Sequence, residues 1–179
     1  MPTAQTILDT AEAQMRARGY NDVSYRNIAD ALGMKSASLH YHFASKTDLG
    51  IALVGRYAEN FRAAYAAQTE DMGAPSDKLD VFIALHRQAL AEQELICLCA
   101  VLGAERGSLP EALNSEVKSF FTGNIEILTQ LFKSAHHRAP NRAAKASISA
   151  LEGALIVAGV NSDMDVFDAT AELVRAQIS

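Results

Sequence analysis

Tryptophan is absent from the 179 residues, and only four prolines and two cysteines occur. So few helix breakers, in a chain nearly half apolar and rich in alanine, argue for an all-α fold. Two cysteines make no disulfide framework. No run of about eighteen apolar residues stands out, which reads against a membrane span. The opening MPTAQTILDTAEAQ has no basic patch ahead of an apolar stretch, so it is not a secretory leader. The expected compartment is cytoplasmic, with no membrane partner. Catalytic signatures are missing as well: there is no G-x-S-x-G, no H-E-x-x-H and no glycine-rich phosphate loop. Neither an enzyme nor a bound cofactor or metal is expected. Positive charge is also scarce, the formal net charge being −5. Residues 1–50 hold as many basic as acidic side chains, so the deficit lies entirely in the remainder. A neutral N-terminal segment still permits nucleic-acid binding if its few cations face phosphates.

What is present is concentrated between Ser24 and Leu49, SYRNIADALGMKSASLHYHFASKTDL. The stretch predicts a short helix, a tight turn, a second short helix and the start of a third. Ala29, Gly33 and Leu39 fall at the spacing A-x3-G-x5-L. A small alanine allows close helix approach, and a glycine between helices supplies a left-handed turn residue. Ile28, Leu32 and Leu39 form the shared apolar seam. This is the helix-turn-helix pattern, whose second helix enters the DNA major groove.

Those residues resemble the N-terminal signature of the TetR family of transcriptional repressors. The resemblance rests on Ser24 to Leu32, Gly33, Ser38-Leu39-His40-Tyr41-His42-Phe43, and Ser45-Lys46 followed by Leu49. It covers about the first fifty residues. The family usually places a tyrosine where His40 stands, so a phenol is exchanged for an imidazole. The resemblance implies a three-helix head over residues 1–46, and a ligand-binding and dimerisation body over 47–179. About nine helices are expected in all. On the second helix of the motif, Lys35, Ser36, Ala37 and His40 are expected to face base edges. Ser24, Tyr25, Tyr41, His42 and Lys46 are expected to hold phosphates. The partner would be a palindromic double-stranded operator, released by a small-molecule effector.

Beyond the head, Ile7, Leu8, Ala11 and Met15 predict an amphipathic first helix ending at Gly19. Ser45-x-x-Asp48 opens a long fourth helix, and Ser108-x-x-Glu111 opens another, both as capping boxes. The run LICLCAVLGAE between them reads as a helix buried on all faces. Its Cys97 and Cys99 read either as small core residues or as thiols that sense electrophiles or oxidants. The resemblance implies an effector cavity in the body. Tyr57, Phe61, Tyr65, Phe82, His86, Cys99, Phe120, Phe121 and Asn124 are its candidate lining, or otherwise plain core. His136-His137 reads as an exposed loop. Ala139-Pro140-Asn141 is a further loop before two final helices. Ala146, Ala150, Ala154 and Ala158 recur every fourth position beside Leu151, Leu155 and Ile156, and resemble the family's homodimer face. A reading from another class is a helical enzyme or binding module without DNA contact.

Overall fold

The computed structural model describes residues 3–93 and 95–178. Among them it has nine helices and no strand. In order these are α1 (Ala4–Arg18), α2 (Tyr25–Ala31), α3 (Ser36–His42), α4 (Lys46–Thr69), α5 (Pro75–Gln93), α6 (Leu98–Ala104), α7 (Glu111–Ser134), α8 (Pro140–Asn161) and α9 (Asp165–Arg175). They pack as two compact units. The first comprises Met1–Glu59 with Leu98–Ser119, and the second Asn60–Cys97 with Phe120–Ser179.

In the first unit, Ile7, Leu8, Ala11 and Met15 of α1 are buried together, as their spacing demands. Val23 is fully buried just before α2, and Ser24 caps that helix. The Ser24 hydroxyl accepts from the Asn27 backbone, while the Asn27 side chain accepts from the Ser24 backbone N–H. At the far end of α2, Gly33 takes φ +62°, and Met34 N–H reaches back to the Ala29 carbonyl at 3.0 Å. This left-handed cap sends the chain sharply into α3. Leu39 seats α3 on Ile28 and Ala29, all three buried, whereas Leu32 is only half-buried. A Cβ at Gly33 would meet nothing within 4 Å, so only the backbone resists substitution. Gly33→Ala is therefore expected to destabilise by about 1–2 kcal/mol, read as a lower urea midpoint at unchanged slope.

Two corrections belong to this unit. The run LICLCAVLGAE is helical only from Leu98, and α6 buries one side, through Leu98, Cys99 and Leu102. Ala100 and Val101 remain half-exposed, because seven residues make barely two turns. The Ser108–Glu111 capping box does not form. Ser108 Oγ instead donates to the Glu105 carbonyl (3.0 Å) and accepts from Asn21 Nδ2 (2.7 Å). The Ser45–Asp48 box is present, Asp48 accepting from the Ser45 backbone at 3.0 Å.

The second unit is built on α5, α8 and α9. Pro140 lies at the start of α8 rather than in a loop, where its fixed φ suits the first turn. His137 is half-buried, and its Nδ1 accepts from the Ala139 backbone (3.1 Å), while His136 is exposed with φ +56°. Among the described residues, α8 is the single helix long and apolar enough to cross a membrane by length and mean hydropathy, and half of the qualifying window is buried within the chain. The small-residue stripe also divides. Ala146 and Ala150 are exposed, while Ala154 and Ala158 are buried. Steps of four residues advance about 400°, so a strict four-residue stripe winds around its helix. The face that stays outward runs Ala146, Ala150, Gly153, Val157 and Val160, in alternating steps of four and three, with Ser149 and Ile156 beside it.

Candidate nucleic-acid interface and body cavity

The first candidate site is the outer surface of α3. Lys35 occupies its N-cap position without a side-chain cap bond. Lys35, Ala37, His40, Tyr41 and His42 are exposed, with Ser36 half-buried. Tyr41 is 88% exposed and meets His42 edge to face at 5.3 Å. His40 Nδ1 lies 3.1 Å from the Ala44 carbonyl, and its ring rests against Tyr25 at 4.7 Å. The imidazole is thus held at the end of α3, with its other nitrogen left to outside partners.

Three residues expected at phosphates have structural duties as well. Ser24 is engaged as the α2 cap. The Tyr25 hydroxyl donates to the Phe43 carbonyl at 2.8 Å, which uses its single proton. Burial, with Asp48 nearby, pushes this phenol up to about 12, so it stays protonated and can only accept from elsewhere. Lys46 is half-buried, donates to the Asn21 carbonyl at 3.5 Å and lies 4.2 Å over the Tyr20 ring. Burial lowers its pKa, opposed by Glu105 and Asp22. Arg26 was missed. Its side chain is 86% exposed in the first turn of α2, with Asp30 3.8 Å away. An arginine beside a capped helix start was the available signal.

Behind the head, the turn between α1 and α2 is gripped from the α6–α7 corner. Glu105 accepts from the Asn21 backbone N–H (3.1 Å) and from its side-chain amide (3.0 Å). Gly19 adopts φ +84°, and a Cβ there would collide with Glu105 Oε1. On the other side of α1, Arg56 of α4 donates to Asp9 and, at 2.8 Å, to Glu12. α1 is thereby fixed at two places.

The second candidate site lies in the second unit. Phe61 and Phe82 meet at 5.4 Å, His86 lies 4.9 Å from Phe61 and 4.5 Å from Phe82, and Phe120 lies 6.2 Å from Phe61. Phe121 edges onto Phe120, and Tyr65 onto Phe82 at 6.1 Å. Asn124 is buried with its Nδ2 unpaired. Tyr57 and Cys99 belong to the first unit instead. Near Tyr65 opens a cavity of about 350 Å³, also lined by Thr69, Lys78, Ile127, Gln130 and Leu131.

His86 faces a residue the sequence reading passed over. Glu152 Oε1 lies 3.9 Å from His86 Nε2, and both side chains are buried. Burial pushes His86 down to about 4, the Phe82 carbonyl opposing. Burial pushes Glu152 well above the usual carboxyl range, Cys97 adding to it. Burial thus favours the uncharged form of each, which weakens any ion pair between them. Cys97 and Cys99 are both buried, which denies an oxidant or electrophile the access thiol sensing requires. The single carboxylate inside ASISALEGALIVAGV was the available signal for Glu152.

Comparison with known proteins agrees with this geometry. Residues 7–53 match the family described as bacterial regulatory proteins, tetR family. The HTH-type transcriptional repressor KstR2 of Mycobacterium tuberculosis is 32% identical over 73 residues, which is 41% of this chain and 36% of that protein. The matched stretch thus spans about a third of that curated relative's length. A TetR transcriptional regulator from Legionella pneumophila superposes over 100% of this chain and 98% of its own, with TM-score 0.92 and 28% identity. A TetR-family regulator from Agrobacterium tumefaciens gives TM-score 0.92 and 27% identity over 98% and 97% of the two chains.

Proposed function

We propose, for a chain that belongs to the TetR family of bacterial transcriptional regulators, a cytoplasmic homodimeric repressor that a small molecule releases from a palindromic operator. The observation carrying this reading is the surface of α3, turned outward by Gly33 with Lys35, Ala37 and His40 side by side. Two such helices must reach successive major grooves about 34–36 Å apart, so a dimer is required. The uncovered apolar face of α8, with Leu173 of α9, supports one. That the matched curated relative is itself described as a repressor supports the direction of control.

Base-edge roles fall to Lys35, Ser36, Ala37 and His40. Phosphate roles fall to Tyr41, His42, Lys46 and the added Arg26, with Ser24 and Tyr25 serving mainly to build the head. The effector site is the cluster of Phe61, Phe82, His86, Phe120, Phe121 and Asn124. α4 and α7 each run through both units, which offers a continuous element for the effector to bias. Release is a coupling free energy: the effector weakens operator binding only as far as it binds the two conformations differently. A hundredfold release corresponds to about 2.7 kcal/mol.

The test is footprinting on DNA upstream of the gene, followed by fluorescence anisotropy over a range of salt. Arg26→Ala should weaken binding evenly across sequences and lower the log–log salt slope by about one. Lys35→Ala should instead change which base is preferred near the end of each half-site. Absence of any salt-dependent, sequence-preferring binding would refute the regulator reading.

A further inference from the structure

We propose that the effector is a neutral hydroxyl compound with an apolar body, its O–H bridging His86 Nε2 and the Glu152 carboxyl. This deepens the effector reading given above and rests on it. His86 Nδ1 lies 2.9 Å from the Phe82 carbonyl oxygen, which can only accept, so Nδ1 carries the proton. Nε2 is then a bare acceptor, buried and without a partner. Neither Glu152 oxygen has an N–H or O–H partner, though the Cys97 thiol lies beside the carboxyl. Arg87 and Arg175, on the helices packed against α8, are committed to Asp168 and Asp80.

The gap of 3.9 Å between Nε2 and Oε1 is too long for a direct hydrogen bond. It fits one oxygen placed about 2.8 Å from each. That oxygen must donate to Nε2 and accept from the protonated carboxyl, and a hydroxyl does both. An ether or ketone cannot donate to Nε2. A carboxylate would set a second acid against Glu152, beside a histidine that burial keeps neutral. The rings of Phe61, Phe82 and Phe120 supply an apolar wall beside the bridge. Tyr65 lines the cavity of about 350 Å³, and its ring meets Phe82, which in turn lies on His86. The apolar body then lies against these rings, with its hydroxyl toward His86 and Glu152.

The full-length protein is titrated calorimetrically with para-propylphenol, para-propylanisole, para-propylbenzoate and para-propylbenzylamine, which share one body. The phenol should bind about tenfold or more tighter than the methyl ether. His86→Phe should erase that preference, and His86→Gln, which restores an acceptor, should recover it in part. Glu152→Gln, whose amide still donates, should keep it. Equal binding of phenol and ether overturns the proposal, since a trapped water would then fill the gap. Tighter binding of the amine or the benzoate overturns it too. Operator binding by the unliganded protein is measured separately. If it is intact while the phenol preference is absent, only this inference falls; if it is absent, the regulator reading falls instead.

Discussion

Ile156→Glu combined with Val160→Glu is expected to leave the protein monomeric and to weaken operator binding by more than about a hundredfold, some 2.7 kcal/mol. The reason is the outward face of α8 and α9. Val160 is 81% exposed and Leu173 73%, with Ile156 and Val157 also uncovered. A contiguous apolar patch on a monomer marks an interaction surface. Small Ala146, Ala150 and Gly153 continue it along α8, where a second helix can approach closely. Carboxylates placed there stay solvated in the monomer but lose their water in a dimer, at a cost of several kcal/mol per unpaired charge. Since both side chains already point outward, helicity and urea midpoint at low concentration should barely change. Sedimentation velocity reads the association state and anisotropy the operator affinity. A variant that still sediments as a dimer would show that the copies meet elsewhere.

With Gln at position 152, stability should stop declining as the solution becomes alkaline. Glu152 is held well above its ordinary pKa by burial, with Cys97 beside it. Between the unfolded value near 4.5 and that raised value, the folded state keeps a proton which the unfolded chain has released. Stability therefore falls as pH rises through this window, by up to about 1.4 kcal/mol per pH unit. His86 works in the opposite sense. It stays neutral in the fold down to about 4, whereas the unfolded chain protonates it near 6.5, so acid removes stability between those values. Wild type should thus be most stable in mildly acidic solution. Glu152→Gln removes the decline that its raised pKa produces as pH rises. His86→Phe removes the opposing contribution, so its stability should already fall as pH rises from about 5. Urea unfolding across the range from about pH 5 to about pH 8 measures both. Parallel profiles for wild type and Glu152→Gln would mean the carboxyl is already ionised at neutrality.

The head was legible because its determinants are local. Ser24, Gly33 and Leu39 act on neighbours within some fifteen residues, and each acts through its own backbone preference or size. The aromatic cluster of the second unit was legible in half. Phe61, Phe82, His86 and Phe120 were picked out as aromatics on helix faces, and ring contacts do unite them. Glu152 was not, since a lone acid on an apolar helix reads equally well as a solvated one; only the packing of α5 on α8 turns it toward His86. The dimer stripe failed on geometry, a four-residue period being too long to stay on one side of a helix. Tyr25 misled for a different reason. Its hydroxyl partner is the Phe43 carbonyl, a backbone atom that no side-chain pattern announces.

The grip of Glu105 on Asn21 bears on how such proteins can be recombined. The two residues lie 84 positions apart, yet the acid caps the corner that launches the reading helices. Gly50 likewise leaves room for Leu113, whose side chain would press on any larger residue there. A chimera that exchanges only the first fifty residues with a relative would mate one protein's corner to another's clasp. Transplanted specificity should hold up better when residues 98–119 travel with the reading helices as a matched pair.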